Sequence, residues 1–345
     1  MGYVVLLGVA LVGWGGFKKL NFPVPALLGP MIIIAAVKAF GMPLHSLPEY
    51  SSQFFQLILG LSVGAKIDRD KIKFLKGVFW PTMVTVIWTI GFSVVTTVLL
   101  VMLTNLTVPT ALFGGAPGGI AVMSVLALAY EEADVAIIAM LQFLRLLLVA
   151  VSYPLLVRSF AGEGQQETAA TDQCESELGE KLTVTAYFGI IFSGLVPGVL
   201  LIYFNVPAGG LIGAILGLGA ANVIVNGRMK FSLIATLITQ MGIGTTVGLR
   251  FTNQTIGQIV DLFLPVILFS TSIVLSGIAL AFILRKMTKW DFATCLLCAA
   301  PAGFSQMISM AGDIGADVLK VSFFQVVRLL TVLLVLQQLF QWYLH

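Results

Sequence analysis

Asn21-Phe-Pro23, Gly29, Gly60-x-x-Val63-Gly64-x-Lys66, Pro81 and Ala116-Pro117-x-Gly119 return 184 positions later. There they read Asn205-Val-Pro207, Gly213, Gly244-x-x-Val247-Gly248-x-Arg250, Pro265 and Ala300-Pro301-x-Gly303. One residue is then lost, and Asp134, Gln142 and Arg145 return 183 positions later as Asp317, Gln325 and Arg328. The chain is therefore a duplication, and whatever one half folds into the other half resembles. Hydrophobic chains built this way are commonly secondary transporters, with the solute site at the repeat interface.

The solvent of these halves follows from composition. Hydrophobic residues make up 58% and charged residues 10%, with a mean hydropathy of +1.01, whereas soluble domains carry about a quarter charged residues. The 35 glycines suit close helix packing in a bilayer. An all-α integral membrane protein is expected, and the apolar run 3–16 reads as a retained first helix with no cleavage site before it. The net charge of +3 reflects loop asymmetry and gives no reason to expect nucleic acid.

Apolar segments are expected at about 3–20, 24–42, 51–66, 77–104, 109–130 and 134–157, and again at about 184–204, 207–225, 231–249, 260–284, 292–312 and 318–341. The stretch 159–181 is rich in Gly, Gln, Thr and Glu. It divides the chain into a first repeat, 1–158, a polar linker, 159–181, and a second repeat, 182–345.

Positive charge orients such repeats. Lys66, Arg69, Lys71, Lys73 and Lys76 crowd the loop after the third segment, whereas the equivalent loop of half two holds Arg250. Conversely, Arg228 and Lys230 follow the second segment of half two, and Arg285, Lys286 and Lys289 follow its fourth. The bias changes sign, so the repeats are expected to be inverted, with about five spans each plus one broken or re-entrant segment. The broken segment is placed at 109–130 and 292–312, where Gly114-Gly-Ala-Pro-Gly-Gly119 and Ala299-Ala-Pro-Ala-Gly303 interrupt the helices. Proline deletes a helix hydrogen bond and glycine permits unwinding. This arrangement puts the linker in the cytoplasm and both termini outside a bacterial inner (plasma) membrane.

The paired breaks are the expected binding region: Pro117, Gly118 and Gly119 in half one, Pro301, Ala302 and Gly303 in half two, with Ser305, Gln306 and Ser124 just beyond. Half-helix N-termini hold anions, and freed carbonyls hold cations. Arg145 and Arg328 fall about 16 Å into their helices, on the face shared by Gln142 and Gln325. They either pair with a solute carboxylate or hold carbonyls released by the neighbouring break. Asp134 and Asp317 read as helix caps in preference to ion carriers; with Glu131 and Asp313 nearby they remain the coupling-ion candidates, for H⁺ or Na⁺. Gln56 and Gln240 recur within the third segments, and Lys38, whose counterpart is Asn222, is expected to snorkel outward.

An enzyme is not expected. His45 and His345 stand apart, and the chain has no HExxH or nucleophile elbow. Cys295 and Cys298 read as buried reduced thiols within an apolar helix, and Cys174 falls in the linker. Neither a metal site nor a cofactor is indicated. The best reading is a secondary active transporter of a small polar solute, more an organic anion than a cation, with a homo-oligomer open. The alternative is a non-transporting membrane regulatory or sensor protein affecting gene expression.

Leu28-Gly-Pro-Met31, Gly60-Leu-Ser-Val-Gly64, Ala116-Pro-Gly-Gly119 with Met123, and Ala133-Asp-Val135 through Arg145 to Pro154 resemble the duplicated AbrB-type family of integral membrane proteins. Ala300-Pro-Ala-Gly303, Met307 and Ala316-Asp-Val318 to Arg328 form a weaker second copy. Members carry labels such as ammonia monooxygenase or regulator of aidB expression, and are unrelated to the soluble DNA-binding regulators of the same name. The oxygenase label sits poorly with two isolated histidines. More distantly, Pro117-Gly-Gly119 followed by Asp134 is similar to the broken-helix region of the bile-acid sodium symporter and cation–proton antiporter superfamily. That similarity implies inverted repeats with a panel and a moving core. In half two Ala302 replaces the middle glycine, so the half-sites are not expected to be equivalent.

Overall fold

A computed structural model describes residues 2–20, 22–42, 44–48, 50–160, 184–225, 229, 231–301 and 303–338. All regular structure among them is helical. The first half forms α1 (Gly2–Lys19), α2 (Pro25–Ala39), α3 (Ser51–Gly64), α4 (Arg69–Gly77), α5 (Phe79–Leu103), α6 (Val108–Gly115), α7 (Ile120–Ala127) and α8 (Val135–Phe160). The second forms α9 (Val184–Tyr203), α10 (Gly209–Val225), α11 (Leu233–Gly248), α12 (Asn253–Thr288), α13 (Phe292–Ala299), α14 (Phe304–Asp313) and α15 (Val318–Leu330), which runs into a π-helical turn, Thr331–Leu336. Of the expected linker 159–181, residues 159–160 end α8, and 161–181 lie outside the described residues, as do 182 and 183.

Among the described residues, four helical stretches are long and apolar enough to cross a bilayer: Phe79–Leu103, Val135–Val157, Pro265–Thr288 and Val318–Val335. They are two repeat-related pairs. Shorter apolar helices accompany them at Pro25–Ala39, Tyr187–Tyr203, Gly209–Val225 and Leu233–Gly248. The protein is thus a multi-pass, all-α membrane protein. Both expected breaks are present, between α6 and α7 and between α13 and α14. The basic stretch read as a loop after the third segment is instead helix α4, capped by the Asp68 carboxylate, which accepts from the Lys71 N–H at 2.8 Å. Val78 separates α4 from α5, whereas α12 runs unbroken through the equivalent position.

The chain divides into two compact units, each drawing on both halves. The first comprises Met1–Lys66, Ile120–Met140 and Leu182–Leu264; the second comprises Ile67–Gly119, Leu141–Lys181 and Pro265–His345.

In the first unit the repeat is visible atom by atom. A methyl placed on Gly60 of α3 would fall 2.6 Å from the Leu211 carbonyl oxygen of α10, and one on Gly244 of α11 would strike the Leu27 carbonyl of α2. Gly64 likewise meets Ile215, and Gly248 meets Met31. Each contact and its partner are related by the repeat offset, so the two copies exchange helices reciprocally, as isologous surfaces do. Only glycine permits backbones this close. Val24 and Ala208, also equivalents, both enter their helices through left-handed backbone, with φ of 48° and 52°.

The same exchange corrects the reading of Lys38. Its ammonium does not snorkel outward; it donates to the Leu249 carbonyl at the C-terminus of α11. Its counterpart Asn222 donates to the Ala65 carbonyl at the C-terminus of α3, at 3.3 Å. Terminal helix carbonyls lack intrahelical donors, and the neighbouring copy supplies one in each case.

Candidate functional site

The second unit contains the residues that interrupt the helices. Proline has no N–H to give to the carbonyl four residues earlier. Pro117 therefore orphans the Phe113 carbonyl, and Pro301 that of Leu297. In both halves a glutamine replaces the missing donor: Gln142 Nε2 reaches the Phe113 oxygen at 2.7 Å, and Gln325 Nε2 reaches that of Leu297 at 2.8 Å. The same amides also reach Ala116 at 3.0 Å and Ala300 at 3.2 Å, and Gln142 adds Gly114 at 3.1 Å.

The arginines complete the pattern. Arg145 Nη1 donates to the Ala116 carbonyl at 2.7 Å and its Nη2 to that of Gly118. Arg328 Nη1 donates to Ala300, and its Nη2 to Gln325 Oε1. Of the two roles left open by the sequence, holding released carbonyls is the one these atoms perform. All four side chains are buried. Arg328 also lies near enough to Arg145 for the two charges to act on each other.

Pro117 and Pro301 come together at one crevice of about 20 Å³, lined also by Trp88, Thr89, Ser276 and Arg328. That volume holds about one water molecule. No carboxylate is among the described residues lining it. Cationic and hydroxyl donors with no anionic side chain make this a place suited to negative charge.

The remaining expected residues are distributed as follows. Gly118 is buried and Gly119 half-buried. Gly303 caps α14, with Gln306 Oε1 folded back beside it. Ala302 lies outside the described residues, as does the Ser305 side chain. Ser124, Gln56, Gln240, Glu131 and Asp134 belong to the first unit. Asp134 Oδ1 accepts from the N–H groups of Ala136 and Ile137, at 3.0 and 3.1 Å, at the start of α8. Asp317 accepts from the Lys320 N–H at 3.1 Å and pairs with its ammonium at 2.8 Å. Burial draws its carboxyl upward, but the hydrogen bonds and charge of Lys320 outweigh this and hold it below 3.8. Asp313 and Glu131 are exposed. Cys295 and Cys298 are buried free thiols.

The segment expected at 77–104 is α5, but sequence reading missed the polar character of its buried face. Its buried face is Thr82, Thr85, Thr89, Ser93, Thr96, Thr97 and Leu100, a hydroxyl stripe on an otherwise apolar helix. The three- and four-residue spacing was legible in the chain. Most of these hydroxyls donate to a carbonyl three or four residues earlier, such as Ser93 to Thr89 at 2.7 Å, leaving oxygen lone pairs available. The repeat-equivalent positions on α12 are also buried where described, but read Val266, Phe269, Ile273, Gly277, Leu280 and Ala281. The two halves are alike in backbone and unlike in chemistry.

A family model described as "Transition state regulatory protein AbrB" matches residues 1–129 and 53–344. A protein of Escherichia coli (strain K12), named as a candidate regulator AbrB, is 28% identical over 324 residues, covering 92% of this chain and 90% of its own. YhjN of Bacillus subtilis (strain 168), whose name assigns no activity, is 24% identical over 291 residues, covering 81% and 75% respectively. No solved structure matches the chain. With the family match spanning both halves, including the two breaks and their glutamine–arginine pairs, the chain belongs to the AbrB family.

Proposed function

We propose that this protein is a secondary active transporter of a small organic anion, coupled to H⁺ or Na⁺, in the inner membrane of a bacterium. The observation that carries the reading is the convergence of Pro117 and Pro301, the two helix breaks, on a crevice that has Arg328 in its wall and no carboxylate among its described lining residues. Backbone breaks at membrane depth persist where they line a cavity or are buried in protein. Buried cationic groups mark solute pathways in such proteins.

Inverted topology is part of the proposal. The reversal of positive charge between the halves and the reciprocal exchange of α3 and α11 partners support it. In this reading the crevice is a sealed state, since about 20 Å³ admits no organic solute. The solute would bind when the unit opens, and no chemical conversion is assigned to it.

The test is a thermal-stability screen of the purified protein against small carboxylates, amino acids and amines, with sodium and pH varied. A ligand at one hundred times its Kd stabilises the folded state by about 2.7 kcal/mol. A carboxylate that raises the melting temperature and accumulates in vesicles under a proton or sodium gradient is the expected result. Stabilisation without uptake would favour a sensor, a second reading suggested by the regulator name of the Escherichia coli relative. Absence of both would overturn the proposal.

A further inference from the structure

Tyr153 of α8 is wholly buried, and its hydroxyl has no hydrogen-bond partner among the described residues. Leaving a buried hydroxyl unsatisfied is costly, and native structures rarely do so without a water, ion or ligand to complete the bond. The location of this hydroxyl is specific. It lies where a side chain on Gly277 would have to go, beside the Pro301 ring and the Ala299 carbonyl. Gly277, Pro301 and Ala299 all line the crevice between the breaks, and Arg328 is close enough to act on Tyr153 electrostatically.

The asymmetry of the repeat isolates this feature. The counterpart of Gly277 is Ser93, and the counterpart of Tyr153 is Leu336, in the π-helical turn. Half one thus has a short hydroxyl at this position where half two has a glycine, and that glycine accommodates a phenol from α8. A second serine would crowd Tyr153; glycine leaves room for its oxygen against Gly277, which itself lines the crevice.

We propose that the crevice is an anion subsite in which the Tyr153 hydroxyl donates to an oxygen of a carboxylate held beside Arg328. The proposal rests on the anion-transport reading and gives it a residue that nothing in the repeat pattern points to. Tyr153 and Arg328 differ in role: the guanidinium is committed to the Ala300 carbonyl and to Gln325, and supplies the charge, whereas the phenol has its proton to give. A crevice of about 20 Å³ holds about one water molecule, so even a carboxylate head enters it only as the unit opens. The smallest carboxylate, formate, is therefore the appropriate probe.

Trp88 lines the same crevice and donates its indole N–H to Ser276 Oγ at 2.9 Å, so its fluorescence reports occupancy. The full chain in lipid nanodiscs is titrated with sodium formate at constant ionic strength, with sodium chloride as the reference titration. A saturable fluorescence change is expected in the wild type and is lost in Trp88→Phe. Tyr153→Phe is expected to weaken formate binding by about tenfold or more while leaving the melting temperature of the unliganded protein unchanged or raised, because it deletes only an unsatisfied hydroxyl. Equal formate affinity in Tyr153→Phe would overturn the role of Tyr153, its hydroxyl then being bonded to trapped water, and would leave transport untouched. No saturable response in the wild type would overturn the subsite itself, and vesicle uptake of larger carboxylates measures the transport reading separately. A lower melting temperature for unliganded Tyr153→Phe would show a structural hydrogen bond and also overturn the proposal.

Discussion

The amide of Gln142 stands 2.7 Å from the Phe113 carbonyl, in the place of the N–H that Pro117 lacks. Gln325 does the same for Leu297 across from Pro301. Proline breaks the helix, and a neighbouring helix repairs the break, twice and in register. In a bilayer no water is available for that repair, which is why a side chain must make it.

The first prediction follows directly. Gln142→Leu keeps the volume and removes the donor, leaving buried carbonyls without it, at about 1–3 kcal/mol for each group so orphaned. Gln142 serves three carbonyls, and Gln325 serves two and also accepts from Arg328, so Gln142→Leu and Gln325→Leu should both lower the melting temperature. Thermal unfolding of both variants in the same detergent checks this, and an unchanged melting temperature in either would contradict the repair.

Glycine contacts give the second. Gly60→Ala and Gly244→Ala each drive a methyl into the backbone of the exchanged helix and should cost roughly 1–3 kcal/mol. Gly91, with nothing within 4 Å of its absent side chain, should accept alanine at no cost or with a gain of up to about 1 kcal/mol. Melting curves of the three variants decide this, and equal behaviour of Gly60 and Gly91 would contradict the close packing.

A third concerns access. The transport reading needs a watery route to the crevice, and the buried face of α5 carries hydroxyls where the equivalent described positions of α12 carry none. In a background with Cys174, Cys295 and Cys298 replaced, cysteine at Thr85 or Thr97 should react with a water-soluble methanethiosulfonate. Cysteine at the equivalents Phe269 or Ala281 should not. Equal labelling of both pairs would remove α5 from the route.

The fourth is a pH effect. The Asp317 carboxyl is held below 3.8 in the folded protein, so its pairing with Lys320 contributes stability above that value and loses it as pH falls through the lower, folded one. Between pH 5 and 2.5 the wild type should lose more of its melting temperature than Asp317→Asn. The group is partly exposed, so the difference should be small and should diminish in salt.

Much of this molecule is determined by its sequence alone. The apolar lengths set the helices, Pro117 and Pro301 with their flanking glycines and alanines set the breaks, and the spacing of Gln142 and Arg145, repeated at Gln325 and Arg328, puts both on one helical face. These are local consequences of side-chain chemistry and the 3.6-residue turn. Only the tertiary structure decided which carbonyls the glutamines and arginines hold, that α3 packs on α10 and α11 on α2, that Lys38 caps a helix of the other copy, and that Tyr153 fills the space left by Gly277. Duplicated helices offer each other nearly identical surfaces, so local pattern cannot say whether a helix packs on its own copy or on the other. Close contact among distant glycines and the satisfaction of buried backbone groups resolve that choice.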